Sequence, residues 1–167
     1  MAMMQAPISS RNEFARLLNK MQLKGTAVEV GTHRGDFAQT FMSDWKGRLL
    51  CCVDPWCKLP DYDYQEAFLW GSSKDRHTDY LVAKSKLSKF GNRVKLIQQT
   101  SEDACKAFND NSIDFVFLDG NHEPPYVEQD IELWWPKISH GGILAGHDFL
   151  CPGPDASWGK YIQPAIL

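Results

Sequence analysis

Five short apolar segments, separated by stretches with helical periodicity, constrain the fold of this chain more than any other feature. Continuous apolar runs that alternate with helices are typical of parallel strands buried on both faces. The pattern therefore predicts an α/β fold, a doubly wound parallel sheet in three αβα layers. The apolar segments lie at 26–31, 48–54, 93–99, 113–119 and 141–148. The helical patterns lie at 10–20, 35–45, 74–90, 101–108 and 127–135.

Some of the predicted elements carry more detailed expectations. In the third helical pattern, Tyr80, Leu81 and Leu87 are expected to face the core. Ser101 is expected to cap the fourth helix, because the acids that follow it suit the positive end of a helix dipole. Segment 55–73 is rich in Pro, Tyr, Trp and Gly and has no clear period. It predicts a long irregular excursion, a kind of segment that is often functional.

Every predicted strand ends in glycine or polar residues. The carboxyl ends of parallel strands lie at one edge of the sheet, where such sheets bind ligands, so these residues are expected to converge. Each residue alone also has a structural explanation as a turn, a helix cap or a strand end. Their joint occurrence favours a binding site. In strand order they are Glu29, Gly31 and Gly35; Asp54; Ser101 and Glu102; Asp119 and His122; and His147 with Asp148.

The end of the first strand discriminates between cofactors. Gly31 and Gly35 are separated by three residues, and Glu29 precedes the first glycine by two positions. A dinucleotide site requires the different spacing G-x-G-x-x-G. An acid at this place repels a diphosphate and attracts an ammonium or a sulfonium. The pattern resembles that of class I S-adenosylmethionine-dependent methyltransferases, and it disfavours a nicotinamide-dependent oxidoreductase.

The wider sequence resembles the same family over about residues 24–149. The resemblance rests on VEVGTHRGDF, CCVDPW, QQTSEDA and IDFVFLDGNHEPPYVEQDIELWWPKISHGGILAGHDF. The last stretch is similar to small class I methyltransferases with D-G-x-H-x-Y and G-G-x-x-x-G-H-D-F segments, and GGILAGHDFLCPG also resembles catechol-type O-methyltransferases. The resemblance implies a Rossmann-like fold and S-adenosylmethionine as cofactor. It also implies a methyl transfer to a hydroxyl of a small molecule or a sugar.

The resemblance implies that the cofactor lies along the first three strand ends. An acid after the second strand is placed to accept hydrogen bonds from a ribose, and the first strand end would hold the methionine moiety. The implied contacts are Glu29, Gly31, Thr32 and Gly35 for methionine; Asp54, Pro55 and Trp56 for ribose; Ser101 with Glu102 for the edge of the adenine; and, from the fourth strand end, Asp119 at the methyl end of the cofactor.

At the methyl end, the resemblance implies a divalent cation held by Asp119 and Asp148, since oxygen ligands suit magnesium or calcium. His147 replaces an acid of the catechol-type pattern. As a third ligand, its imidazole would also suit manganese, iron or zinc. His122 replaces a lysine base and, with an ordinary pKa of about 6.5, can accept the acceptor's proton. Asp119 and His122 are therefore the predicted catalytic residues. The acceptor oxygen would attack the methyl group in line with the leaving sulfur.

Composition favours a cytoplasmic protein without a nucleic-acid or membrane partner. The formal net charge of -3 gives no argument for a nucleic-acid or anionic-membrane partner. The chain lacks both an apolar run of about 18 residues and a signal-peptide pattern. The odd number of cysteines and the absence of a C-x-x-C pair indicate reduced thiols. Cys51, Cys52 and Cys57 leave a zinc site as an alternative.

The end of the chain departs from the family pattern. After the fifth strand only LCPGPDASWGKYIQPAIL follows, which leaves no room for the closing helix and antiparallel hairpin of the family. We therefore expect one cofactor-binding domain over residues 1–167, truncated at its C-terminal end. The missing hairpin leaves an open sheet edge, which favours a homo-oligomer. A catalytically silent cofactor-binding or interaction module is the alternative to an active enzyme.

Overall fold

The computed structural model describes residues 10–57, 76–122 and 125–147, which form five helices and five strands. Short 3-10 turns precede α1 and follow α3 and α5. None of the described helices is long and apolar enough to cross a membrane. The helices are α1 (Phe14–Lys20), α2 (Asp36–Asp44), α3 (Arg76–Leu87), α4 (Ser101–Cys105) and α5 (Tyr126–Trp134). The strands are β1 (Thr26–Val30), β2 (Leu49–Val53), β3 (Val94–Ile97), β4 (Ile113–Leu118) and β5 (Ile138–Gly146).

The strands form one parallel sheet in the order β3-β2-β1-β4-β5. The chain builds one half of the sheet outward from β1 through β2 to β3, and then returns to place β4 on the other side of β1. The strand order therefore changes direction between β1 and β4, and ligands bind outside the carboxyl ends of the strands at such a point. The predicted α/β fold with a doubly wound parallel sheet is confirmed.

Apolar layers cover both faces of the sheet. On one face α2 packs aromatic rings against β4, with ring centroids 4.2 Å apart for Phe37 and Phe117 and 5.5 Å apart for Phe41 and Phe115. On the other face, the fully buried Trp134 of α5 belongs to a second cluster with Val116. The central strands β1, β2 and β4 are thus buried on both sides, which explains why they appear in the sequence as mainly apolar runs. The edge strands β3 and β5 are only partly buried.

The packing of β2 contradicts a zinc site built from its cysteines. Cys52 belongs to the layer that contains α2, whereas Cys51 belongs to the layer that contains α5. Consecutive residues of a strand point to opposite faces of the sheet, so one ion cannot bind both sulfur atoms. Cys57 is exposed, and the described cysteines are free thiols.

Two local predictions were wrong, and tertiary contacts explain both. Leu81 of α3 is 49% exposed, whereas Asp79 is completely buried, because two arginine side chains and the imidazole of His33 surround its carboxylate. The cap of α4 is Thr100, whose side chain accepts a hydrogen bond from the backbone N–H of Asp103. Ser101 instead accepts a hydrogen bond of 2.8 Å from the indole of Trp134.

Other boundaries differ from the prediction or lie outside the structure. β5 begins at Ile138, three residues before the predicted start, because the backbone here pairs with the beginning of β4. The predicted excursion is described only as far as Cys57, and its residues from 58 onward lie outside the described part of the chain. The same holds for Asp148 and the residues that follow it.

Candidate functional site

The turn after β1 forms the centre of the site. Gly31 has φ of +87°, and a Cβ atom placed on it would lie 2.1 Å from the carbonyl oxygen of Asp119. The N–H of Gly31 donates to Val53 of β2, and the N–H of Asp119 donates to Val30, both at 2.8 Å. The carboxyl ends of β1, β2 and β4 are therefore held together at one point, and only glycine fits there.

Asp54, at the end of β2, fixes the turn in place. Its carboxylate accepts two backbone hydrogen bonds of 2.8 Å, one from His33 and one from Trp56. The indole of Trp56 in turn donates to the carbonyl oxygen of His33 at 2.7 Å. Burial raises the pKa of Asp54, and the two N–H donors oppose that rise. The predicted ribose acid therefore also fastens the loop after β2 to the turn after β1.

A buried ion cluster attaches α3 to the same turn. Asp79 lies 3.1 Å from Arg34, 3.7 Å from His33 and 3.7 Å from Arg76, measured between carboxylate oxygens and side-chain nitrogens. Burial lowers the pKa of His33, while the negative charge of Asp79 opposes this effect. This cluster could not be predicted from sequence patterns, because it joins the turn after β1 to α3.

Glu29 lies below the turn, on β1, and is 2% exposed. Burial raises its pKa well above the ordinary value; the Thr32 side chain opposes this, and the negative charges of Asp119 and Asp54 raise the pKa further. Glu29 Oε2 and Thr32 Oγ1 are buried and have no hydrogen-bond partner among the described residues. Buried polar atoms are rarely left in this state. Because the Thr32 hydroxyl lies close enough to Glu29 to lower the pKa of its carboxyl, one polar group of a ligand can contact both residues.

Asp119, His122 and His147 meet at the ends of β4 and β5. Asp119 Oδ1 lies 3.7 Å from His122 Nε2 and 3.4 Å from His147 Nδ1. One ligand atom from each of the three residues lies within 4.8 Å of the other two. Asp119 Oδ2 lies 3.1 Å from Arg11, which reaches the site from the segment before α1. The arrangement provides one carboxylate and two imidazoles that face a common point.

The structure brings most of the predicted site residues together at one edge of the sheet. The others are engaged elsewhere or lie outside the described residues. Glu102 is exposed and lies 3.4 Å from Lys106 in an ion pair on α4. Ser101 is engaged by Trp134, and Pro55 is half-buried between Asp54 and Trp56. Asp148 lies outside the described residues, so its predicted role as a ligand stays a prediction.

Two residues of this region were not predicted from the sequence. Arg11 is 108 positions from Asp119, and no local pattern connects them. Asp130 is buried on α5, although Val127, Ile131 and Trp134 around it are apolar. An acid inside the apolar stripe of a helix was therefore a visible signal of a buried carboxyl.

We expect the buried carboxyl of Asp130 to make stability depend on pH. Burial raises its pKa to about 6, and the Ser101 side chain opposes that shift. Because the folded-state pKa exceeds the unfolded value, the contribution is complete below about pH 4 and is lost as the pH rises through about 6. The shift corresponds to a loss of up to about 3 kcal/mol. Urea unfolding at pH 4.5 and 7.5 should show a larger fall in the free energy of unfolding for wild type than for Asp130→Asn, in which the raised pKa values of Glu29 and Asp54 still contribute a fall. An equal pH dependence in both proteins would contradict this expectation.

Comparison with curated proteins finds a relative of this chain in a giant virus. An uncharacterized protein of Acanthamoeba polyphaga mimivirus is 26% identical over 145 residues. The aligned region covers 84% of this chain and 57% of the viral protein. The chain thus spans little more than half the length of that relative.

Solved structures of methyltransferases share the fold at low sequence identity. The S-adenosylhomocysteine-bound methyltransferase of Podospora anserina aligns with a TM-score of 0.64 and 17% identity, covering 95% of this chain and 69% of that one. An O-methyltransferase of tomaymycin synthesis from Streptomyces achromogenes, in complex with S-adenosylmethionine, gives a TM-score of 0.62 at 15% identity. Its alignment covers 95% of this chain and 67% of that one.

A family model described as a methyltransferase domain matches residues 28–149. The match begins inside β1 and continues past the end of β5, so it contains the glycine turn and every strand end described above. It confirms the resemblance to class I methyltransferases predicted from the sequence. The chain belongs to the methyltransferase-domain family, and its fold is that of the class I S-adenosylmethionine-dependent methyltransferases.

Proposed function

We propose that this domain transfers the methyl group of S-adenosylmethionine to a hydroxyl oxygen of a small molecule, with a divalent cation beside the acceptor. The observation that carries the proposal is the convergence of Glu29, Asp54 and Asp119 at neighbouring strand ends, where the latter two raise the pKa of Glu29. A site with this negative charge suits the ammonium and sulfonium groups of the cofactor and disfavours a diphosphate. Similar folds bind S-adenosylmethionine or its demethylated product.

The residues of the glycine turn fit the cofactor. Glu29 Oε2 and Thr32 Oγ1 are unpaired and buried among the described residues, so an ammonium group would satisfy both. Gly31 and Gly35 have positive φ, and their turn presents backbone rather than side chains to a ligand. Asp54, Pro55 and Trp56 would lie beside the ribose, and Ser101 and Glu102 beside the adenine. S-adenosylmethionine supplies an electrophilic methyl group on a positively charged sulfur.

The cluster of Asp119, His122 and His147 fits a divalent transition metal. Imidazole ligands suit manganese, iron or zinc better than magnesium, which prefers oxygen ligands. A cation in this place supplies a Lewis acid that lowers the pKa of a coordinated hydroxyl. His122 has two alternative roles here, because an imidazole nitrogen that binds a cation has no lone pair left for a proton. Asp119 balances positive charge in either case.

We expect cofactor binding to release a proton from Glu29. Since burial raises the pKa of the free carboxyl, the cationic cofactor favours its ionised form, and affinity should increase as the pH rises through that pKa. Glu29→Gln should abolish the proton release and weaken binding by at least about tenfold, or ~1.4 kcal/mol. Titration calorimetry in phosphate and in Tris measures the released proton. The exposed Glu132→Gln on α5 is the control, and equal proton release in all three proteins would contradict the assignment.

One experiment tests the function as a whole. The full chain is titrated with S-adenosylhomocysteine and with NAD, and methyl transfer to hydroxyl compounds is followed by mass spectrometry with manganese or magnesium present. Binding of S-adenosylhomocysteine together with a methylated product supports the proposal. Binding without transfer to any acceptor supports the silent cofactor-binding module instead. Tight binding of NAD alone contradicts the proposed cofactor.

A further inference from the structure

A cavity of about 340 Å³ lies between α5 and the last two strands of the sheet. Small-molecule sites usually measure about 300–1,000 Å³, so the volume suits a compact ligand. From α5, the cavity is lined by Val127, Ile131 and Trp135, and from the strands by Leu118 and Leu144. Its walls are therefore mainly apolar.

The polar groups of the cavity include part of the cation cluster. His122 and His147 line it, together with Asn121 and the buried Asp130. Both imidazoles also face Asp119. A molecule in the cavity would thus contact the residues that hold the cation in the proposed function.

The polar and apolar parts of the cavity lie at opposite ends of α5. The helix begins just after the end of β4 and runs back toward the start of β5. Trp135 lies eight residues after Val127, which corresponds to roughly 12 Å along a helix. The cavity wall at Trp135 is therefore the part far from the strand ends where His122 and His147 lie. Trp135 is 65% exposed, which is unusual for a large apolar side chain.

We propose that this cavity is the methyl-acceptor pocket and that it takes a compound with an apolar, ring-sized body and one hydroxyl rather than a sugar. The inference rests on the proposed function. A buried sugar needs a hydrogen-bond partner for each of its hydroxyls. Along the apolar walls Val127, Ile131 and Leu144 provide none, and the indole of Trp135 provides a single donor. The apolar body lies along those walls, and the hydroxyl lies beside the two histidines.

The reaction in this pocket needs no reactant besides the acceptor and S-adenosylmethionine. The acceptor oxygen forms the new bond to the methyl carbon as the bond between that carbon and sulfur breaks, and the sulfur keeps the electron pair. The hydroxyl proton leaves to His122, or to water when a cation occupies that nitrogen. The pocket would accelerate the reaction mainly by holding the acceptor oxygen in line with the methyl group.

Binding of 2-naphthol to the full chain tests the pocket. Titration calorimetry is carried out on wild type, on Ile131→Trp, which fills the cavity, and on the control Glu132→Trp, which adds the same side chain on the exposed face of α5. We expect wild type and the control to bind within twofold of each other. Ile131→Trp should bind at least tenfold more weakly. Methyl glucopyranoside, the sugar probe, should not bind in the cavity.

A second variant covers the case in which Ile131→Trp fails to fold. Trp135→Ala removes an exposed side chain, and it should weaken 2-naphthol binding severalfold while leaving the unfolding midpoint nearly unchanged. Equal naphthol affinity in Trp135→Ala, or preferential binding of the sugar in the cavity, would overturn the inference. So would the absence of naphthol binding to wild type, which would mean that later residues of the chain or a second copy fill the cavity.

Methyl transfer separates this inference from the proposed function. If an acceptor is methylated and Ile131→Trp leaves the rate unchanged, the function stands and the pocket is wrong. If 2-naphthol binds and Ile131→Trp prevents binding, but no compound is methylated, the ligand site is supported and the proposed reaction is contradicted.

Discussion

Gly31→Ala is expected to destabilise the fold and to remove cofactor binding together. The new Cβ would lie 2.1 Å from the carbonyl oxygen of Asp119, so β1 and β4 must separate at the centre of the site. A left-handed conformation costs alanine about 1–2 kcal/mol, and a displaced neighbour costs about 1–3 kcal/mol more. The free energy of unfolding should therefore fall by about 2–5 kcal/mol. Affinity for S-adenosylhomocysteine should fall by more than about tenfold.

Gly141→Ala isolates the effect of the backbone conformation from that of the clash. Gly141 has φ of +81°, close to the +87° of Gly31, but a Cβ atom there would have nothing within 4 Å. Its substitution should cost only about 1–2 kcal/mol and should leave S-adenosylhomocysteine binding unchanged. Urea unfolding and titration calorimetry measure both quantities. If the two variants behave alike, the close approach of Gly31 to Asp119 does not determine the site.

The fold could be predicted because the apolar pattern that indicates each strand lies within that strand. The central strands of this sheet are buried on both faces, so runs such as 115–118 appear apolar without interruption. The errors arose where distant residues decide the outcome. Asp79 turns its face of α3 inward because Arg34, on the turn after β1, lies 3.1 Å from its carboxylate and compensates its charge. Thr100 and Ser101 are both suited to cap α4, and the indole of Trp134 on α5 engages the second.

The convergence of the strand-end residues was predictable for the same reason. Glu29 lies near the end of β1, Asp54 and Asp119 follow β2 and β4, and parallel pairing brings these ends together. The role of Arg11 was not predictable, because only the folded chain places the segment before α1 against the end of β4. Sequence patterns report periodicity within one element, whereas a site also depends on which elements meet.

Asp119→Asn is expected to reduce cation binding and methyl transfer more than any other exchange in the cluster. The amide keeps the size of the side chain but removes the only negative charge among Asp119, His122 and His147. We expect manganese affinity to fall by about 100-fold, or ~2.7 kcal/mol, and the rate of methyl transfer by about 10²–10³-fold, as for other losses of preorganised charge. Electron paramagnetic resonance of free manganese measures binding independently of turnover.

Arg11→Gln gives a change of opposite sign and thereby tests the charge argument. The guanidinium of Arg11 lies 3.1 Å from Asp119 and competes with a cation for the same carboxylate. Both side chains are partly exposed, so the pair contributes up to about 1 kcal/mol, and its removal should raise manganese affinity up to about fivefold. Arg16→Gln is the matched control, because Arg16 pairs with Asp44 on the surface. Weaker manganese binding by Arg11→Gln would mean that Arg11 orders the cluster instead of competing for it. Unchanged binding by Asp119→Asn would place the cation elsewhere.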